Sequence, residues 1–308
     1  MHPLSLLVVG PNPALQRVLS LPTQLELGSV NRAASLSEYV GGKGQGAALA
    51  LARWAPGETT LASFLGGDTG RAVEALLSAS DLELLTQPTA APTRICTTLL
   101  SPGVAGGTEV IDPSGTVSEM ELDALLGQIE ERLHTFDALA LCGTCPSGAQ
   151  DIYSRLVSML AASASGDKCT VLLDGIKQVD EVLNSGRVDV LKINVLEATT
   201  LTGTSSAAAA AAVLFAENGA LRRRRALLAL TDGPKPALLF TSATQGWRLH
   251  VPSVEVVNAI GAGDVCTAVF LYHLAKARAQ QSGDGGDGGV GEWKGAGAGR
   301  AVAGSGQL

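Results

Sequence analysis

The tetrapeptide Gly261-Ala262-Gly263-Asp264 stands directly before the apolar run Val265-Cys266-Thr267-Ala268-Val269-Phe270-Leu271. Small residues that open a helix leave backbone N–H groups free and let an anion approach closely, and the helix dipole adds about half a positive charge there. A carboxylate in that first turn, at Asp264, can take a proton from a hydroxyl attacking the bound anion. The same four residues also suit an ordinary glycine turn with a favourably charged first-turn aspartate.

Two further clusters have spacings that could serve such chemistry. Gly41-Gly42-Lys43-Gly44 precedes a helical pattern over 44–54. Its glycines permit close backbone approach to a ligand, and Lys43 supplies a point charge for a phosphate or polar substrate. The spacing fits neither a Walker A loop nor G-x-G-x-x-G, so an ordinary strand-to-helix turn with a solvated lysine stays open, and a nicotinamide-binding oxidoreductase is disfavoured. Asn194-Val195-Leu196-Glu197 follows Lys192 and a strand pattern over 188–191. Asn194 and Glu197 lie on one face of a helix start. They could orient the hydration shell of Mg²⁺, or form a capping box.

The elements that must position these residues alternate. Strand patterns fall at 4–9, 59–64, 138–142, 169–173, 188–191, 226–230 and 237–240, and helical patterns at 44–54, 69–79, 150–162, 207–218 and 265–279. This rhythm predicts an α/β fold with a mostly parallel central sheet covered by helices on both faces. Segments 12–40 and 86–112 break the rhythm and predict a small antiparallel sheet, of use as a lid. The Gly-rich stretch 282–308 is expected to be a flexible tail behind a domain spanning 1–281.

Bulk composition narrows the function classes. The 308 residues carry a net charge of −7, with 46% apolar and 17% charged residues. That balance argues against broad nucleic-acid or anionic-membrane binding. No apolar run approaches the ~18 residues needed to span a bilayer, and 4–9 is too short and lacks the basic flank of a signal peptide. A cytoplasmic location is expected, or the plastid stroma if a transit peptide has been removed. Five cysteines are no disulfide framework. Cys142-x-x-Cys145 has no second pair and the four histidines show no ligand spacing, so zinc is not expected. The run Arg222–Arg225 fits a solvated helix end.

Taken together and in this order, the clusters at 41–44, 194–197 and 261–264 resemble the PfkB family of carbohydrate kinases, in the ribokinase superfamily, over nearly all of residues 4–280. Further stretches resemble its phosphofructokinase branch, which includes 1-phosphofructokinase and tagatose-6-phosphate kinase. They are Asn12-Pro13-Ala14-Leu15, Thr93-Arg94, Cys142 to Gly148, and Thr231-Asp232-Gly233. The resemblance implies a ribokinase-like fold and ATP-dependent phosphoryl transfer to a sugar phosphate. Asp264 would be the base, with the amides of Gly261, Ala262 and Gly263 forming the anion hole. Asn12, Gln16, Gly42 and Lys43 would contact the sugar, and Arg94 its phosphate. Lys192, Asn194, Glu197, Thr231 and Gly233 would border ATP, with Asn194 and Glu197 placing Mg²⁺ through water. Small-molecule substrates, no nucleic acid, no membrane and a homodimer through the lid complete the expectation. Gln16 stands where the branch has Asp, Ile193 where it has Pro, Asn258 where Asp is common, and the Gly-rich tail replaces an Ala-rich helix. A free-sugar or nucleoside kinase of the same fold and a catalytically weak regulatory member are the alternatives.

Overall fold

The computed structural model describes residues 3–104, 107–163, 166, 168–216, 219–221, 226–252, 254 and 260–283. The chain opens with β1 (Leu6–Val9), β2 (Ala14–Ser20) and β3 (Ser35–Gly41), then α1 (Lys43–Trp54), β4 (Thr59–Gly66) and α2 (Gly67–Leu77). β5 (Glu83–Thr89), β6 (Arg94–Leu100) and β7 (Thr108–Ile111) follow, then α3 (Glu119–Arg132) and β8 (Ala138–Cys142). Next come α4 (Ile152–Ala162), β9 (Thr170–Asp174), α5 (Asp180–Asn184), β10 (Val190–Asn194), α6 (Val195–Thr202) and α7 (Ala207–Leu214). β11 (Leu227–Asp232), β12 (Lys235–Phe240), β13 (Gly246–Leu249) and α8 (Ala262–Gly283) complete the described elements.

Nine strands form one sheet in the order β13-β12-β11-β10-β9-β8-β1-β4-β5. The seven from β11 to β5 are parallel, and β12 and β13 add an antiparallel edge. Alternation of side chains along a strand explains why these strands read as unbroken apolar runs. Leu7 and Val9 of β1 enter the core shared with α3 and α4, whereas Leu6 and Val8 enter the one shared with α1, α2 and α8. The second core is lined by small residues, among them Ala47, Ala48, Ala138, Ala140 and Ala268, which lets α1 and α8 lie close to the sheet and to each other. From β1 the chain steps outward to β4 and β5 on one side and to β8 on the other. The strand order thus reverses at β1, and a crevice is expected at the carboxyl ends of these strands.

The four-stranded second sheet has the order β3-β2-β6-β7. It is mixed: β2 pairs with β6 in parallel, Ala14 opposite Arg94, while the outer pairs are antiparallel. The expected antiparallel sheet is corrected on this point, because its two middle strands leave the large sheet in separate excursions that run the same way. Residues 86–89 of the expected 86–112 segment lie in β5, within the large sheet. Of the stretch 282–308, residues 282 and 283 end α8. The rest, with Arg222–Arg225 and Asn258, lies outside the described residues. Among the described residues no helix is long and apolar enough to cross a membrane.

Candidate active site

Two helix N-termini meet over the carboxyl ends of β1, β8, β9 and β10. α1 begins at Lys43 because Gly42 takes φ +111, a left-handed turn that favours glycine and redirects the chain out of β3. α8 begins at Ala262, with Asp264 in its first turn. Gly46 of α1 gives Asp264 its room: a Cβ at position 46 would overlap Oδ2 of the carboxyl group. The Asp264 side chain therefore packs across the first turn of the neighbouring helix. Glycine at 46 is a requirement of the site that the sequence pattern alone does not reveal.

Beneath these turns lies a charge network centred on the buried pair Asp174 and Lys192. Lys43 Nζ donates to Asp174 Oδ1 at 3.1 Å and to Glu197 Oε1 at 2.8 Å. Lys192 Nζ donates to Asp174 Oδ2 at 3.0 Å and to the Gly263 carbonyl at 2.9 Å. Thr267 Oγ1 lies 2.5 Å from Asp174 Oδ2 and 3.1 Å from the Gly263 carbonyl. Asp174 thus joins α1, β10 and α8 at one carboxylate. Its side chain is 2% exposed and that of Lys192 is 7% exposed, so each charge needs the other to be tolerable there.

This network drives two nearby carboxyl groups apart. Burial and the negative charge of Asp174 push Asp264 up to about 7, against the pull of Lys192 and Lys43. Asp174 is also opposed by burial, but Lys192, Lys43 and the Thr267 hydroxyl outweigh it and hold its pKa below the ordinary value. One group stays ionised and the other is poised to exchange a proton near neutrality, as an acid/base site requires. Burial works against the charge of Lys43, yet Asp174 and Glu197 prevail and raise its pKa, so it remains an ammonium.

Glu197 joins this centre through its bond from Lys43. Asn194 and Glu197 form a complete capping box at the start of α6: Asn194 Oδ1 accepts from the Glu197 amide at 2.8 Å, and Glu197 Oε2 from the Asn194 amide at 2.9 Å. Both carboxylate oxygens of Glu197 therefore already accept one bond. Their remaining lone pairs suit a Mg²⁺ that keeps its water shell. Among the described residues no group of three or more His, Cys, Asp or Glu side chains is placed to wrap a bare ion. Thr231 stands opposite Asn194 in the β10–β11 register, and Gly233, with φ +55, opens the exposed turn to β12.

On the small-sheet side, Asn12 Nδ2 donates to Ser114 Oγ at 2.8 Å and to Thr144 Oγ1 at 3.0 Å. A Cβ at Gly143, next to Thr144, would come 3.4 Å from Lys43 Cβ, so this cluster adjoins the start of α1. Arg94 Nη2 and Nε reach the carbonyls of Asn12 and Pro13 at 3.2 and 3.4 Å. Gln16 Nε2 donates to Thr98 Oγ1 at 2.9 Å within the small sheet. Cys142 and Cys145 are both free thiols whose pKa burial raises, Cys145 to about 12, unsuited to thiolate redox chemistry.

Sequence reasoning missed Asp174 and Thr267. The signal for Asp174 was present, since an acid at the carboxyl end of a buried strand in an open α/β sheet faces the ligand crevice. Thr267 carries no such signal, because its partner is distant in sequence.

Comparison with known proteins bears on the family and the fold. The model of the pfkB family carbohydrate kinases matches residues 15–286. Among solved structures, the fold is similar to the tetrameric inhibited form of phosphofructokinase-2 from Escherichia coli, with TM-score 0.74 at 19% identity over 89% of this chain and 88% of that one. It is similar to the same enzyme in complex with fructose-6-phosphate, with TM-score 0.70 at 19% identity over 90% and 88%. A protein from Thermotoga maritima described as a possible 1-phosphofructokinase gives TM-score 0.73 at 18% identity over 89% and 86%. With the family model covering most of its length, and with the stretches around Lys43, Glu197 and Gly263 joined by hydrogen bonds, the chain belongs to the pfkB family of carbohydrate kinases, which are phosphotransferases.

Proposed function

We propose that this protein transfers the γ-phosphoryl group of ATP to a hydroxyl of a sugar phosphate, in the manner of the phosphofructokinase branch. The observation that carries the reading is Asp264: a carboxyl group with a pKa of about 7, packed over Gly46 in the first turn of α8. Its carboxylate takes the proton of the acceptor hydroxyl. The freed oxygen bonds to the γ-phosphorus while the bond from that phosphorus to the β,γ-bridging oxygen breaks, and ADP leaves with the electron pair. The amides of Gly261, Ala262 and Gly263 face the charge that develops on the phosphoryl group. Lys43, held as an ammonium, adds a positive charge from the opposite helix start. Asn194 and Glu197 would hold Mg²⁺ through its waters, and the ion would there offset phosphate charge. Lys192, Thr231 and Gly233 border the ATP side, and Asn12, Gln16 and Gly42 the sugar side.

Arg94 is the residue that grips the substrate's existing phosphate. ADP release measured with fructose 6-phosphate, fructose 1-phosphate, tagatose 6-phosphate, free fructose and ribose tests the reading, with Mg-ATP as donor. A phosphorylated ketose should turn over. Arg94→Ala should then raise KM for that ketose about ten- to a hundredfold, the value of one or two charge-assisted hydrogen bonds, with kcat little changed. A second reading, a free-sugar kinase, is favoured by the two bonds that Arg94 makes to backbone carbonyls. It predicts turnover of a free sugar and indifference to Arg94→Ala. Absence of turnover across the panel by folded protein would defeat both.

A homodimer through the small sheet is part of this proposal. β3 is one of its two outer strands, with Leu36 47% and Tyr39 54% exposed. Unpaired edges and apolar faces of this kind invite a second copy. Sedimentation should show a dimer at micromolar concentration, and a monomer throughout that range would refute it.

A further inference from the structure

We infer that Thr267 is a positioning residue for phosphoryl transfer, acting through Asp174 to hold the first turn of α8 in place. The inference rests on the proposed role of Asp264.

The geometry is a closed ring. The Thr267 hydroxyl reaches Asp174 Oδ2 at 2.5 Å, Lys192 Nζ reaches the same oxygen at 3.0 Å, and Lys192 also reaches the Gly263 carbonyl at 2.9 Å. Thr267 follows Gly263 by one helical turn, which closes the circuit through the helix itself. A hydroxyl has one hydrogen to give. The contact to the carboxylate, at 2.5 Å, is much shorter than the 3.1 Å contact to the Gly263 carbonyl, as a charge-assisted bond should be. The hydrogen therefore goes to Asp174, and the Gly263 carbonyl is served by Lys192.

The ring crosses from the sheet to the helix at the turn that carries Asp264. Thr267 is 1% exposed, so no water substitutes readily for its hydroxyl. Asp174 and Lys192 are on strands of the central sheet. Further along α8 the apolar contacts of Ala268 and Leu271 resist separation but are not directional, and the next polar tie is Arg278, which donates to Thr170 Oγ1 at 3.1 Å and to Asp189 Oδ1 at 2.9 Å about three turns from Thr267. At the first turn the Thr267–Asp174 bond, together with that of Lys192 to the Gly263 carbonyl, supplies the directional constraint that Arg278 is too distant to give. Rotation or sliding of the first turn would move the Asp264 carboxyl and the amides of 261–263 together. Misplacement of about 1 Å can cost about a hundredfold in rate.

Three variants separate positioning from simple packing. Thr267→Val keeps the shape and loses the hydroxyl. Thr267→Ser keeps the hydroxyl and loses a buried methyl group. Thr267→Ala loses both, and is compared with Ser should Val not fold. All are assayed with the wild type and Asp264→Ala, for kcat, for KM of each substrate and for Tm. Thr267→Val should lower kcat about ten- to a hundredfold with KM of the sugar substrate within about twofold, whereas Thr267→Ser should keep kcat near wild type even where its Tm is lower. Loss of activity that follows Tm across the variants, or a Val variant with wild-type kcat, would overturn the inference while Asp264→Ala stays inactive. Should Asp264→Ala retain wild-type turnover, or the wild type show none, the proposed role of Asp264 falls first and the inference falls with it.

Discussion

Replacing Asp264 by Asn should lower kcat by about 10²–10⁴-fold while the protein remains folded and binds both substrates. The amide fills the same space over Gly46 and can donate and accept hydrogen bonds, but it cannot take the hydroxyl proton. The same change should raise thermal stability in mildly alkaline buffer. Asp264 has a pKa of about 7 in the fold against an ordinary 3.8, so the native state favours the protonated form. The stability this gives is fully present below the unfolded value and is lost as pH rises through about 7. Above that, the ionised carboxyl is a half-buried charge beside Asp174, and Asn relieves it. Melting curves at about pH 5 and 8 measure this: the variant should gain over wild type on going from the lower to the higher pH. An equal difference at both would show that Asp264 is not electrostatically strained.

Asp174→Asn should have the largest effect on the fold itself. It removes the one carboxylate that faces both Lys43 and Lys192, and Lys192 is almost completely buried. Breaking a buried pair by deleting one partner costs about 3–5 kcal/mol, which denaturant unfolding would read directly. In the wild type the pKa of Asp174 lies below its ordinary 3.8, so its stabilising contribution is present above that value and lost as pH falls further. The variant should therefore lose stability mainly in neutral buffer and differ least from wild type in strong acid. Removing the charge should also bring the pKa of Asp264 down, since Asp174 is one of the two influences that raise it. A variant as stable as wild type at neutral pH would mean that the two lysines find other partners.

Most of the fold was legible because the parallel strands are buried on both faces. Leu6–Val9, Ala138–Cys142 and Leu227–Leu230 appear as unbroken apolar runs, and helical periodicity separates them. Where a charge enters a strand the pattern fails. Lys192 looked like a residue beyond the end of β10, yet it lies within that strand, because Asp174 neutralises its ammonium inside the core. The strand before it was likewise read as ending at Leu173, one residue short of Asp174. A pair of opposite charges on neighbouring strands hides both partners from a reading that looks for apolar runs.

α3 was passed over although its capping box, Ser118 with Glu121, and its apolar positions Leu122, Leu125, Leu126 and Ile129 are plain in retrospect. The site was legible as three motifs and illegible as a network. Nothing in local sequence says that Lys43 and Glu197 touch across 154 positions, or that Gly46 makes room for Asp264. Asn194 and Glu197 show the converse. On the sequence the capping box and a contact with hydrated Mg²⁺ are alternatives, whereas the capping box as folded leaves carboxylate lone pairs of Glu197 open to the second.

The central claim is that Asp264 removes the acceptor proton, and kcat/KM for the phosphoryl acceptor as a function of pH tests it most directly. This quantity reports the essential base of the free enzyme. The account predicts a rate that climbs about tenfold per pH unit in acid, bends near pH 7 and levels off above, with the bend moved to lower pH in Asp174→Asn. A profile flat from about pH 5.5 to 8.5 with the chemical step limiting, or a bend that stays in place when Asp174 is neutralised, would contradict it.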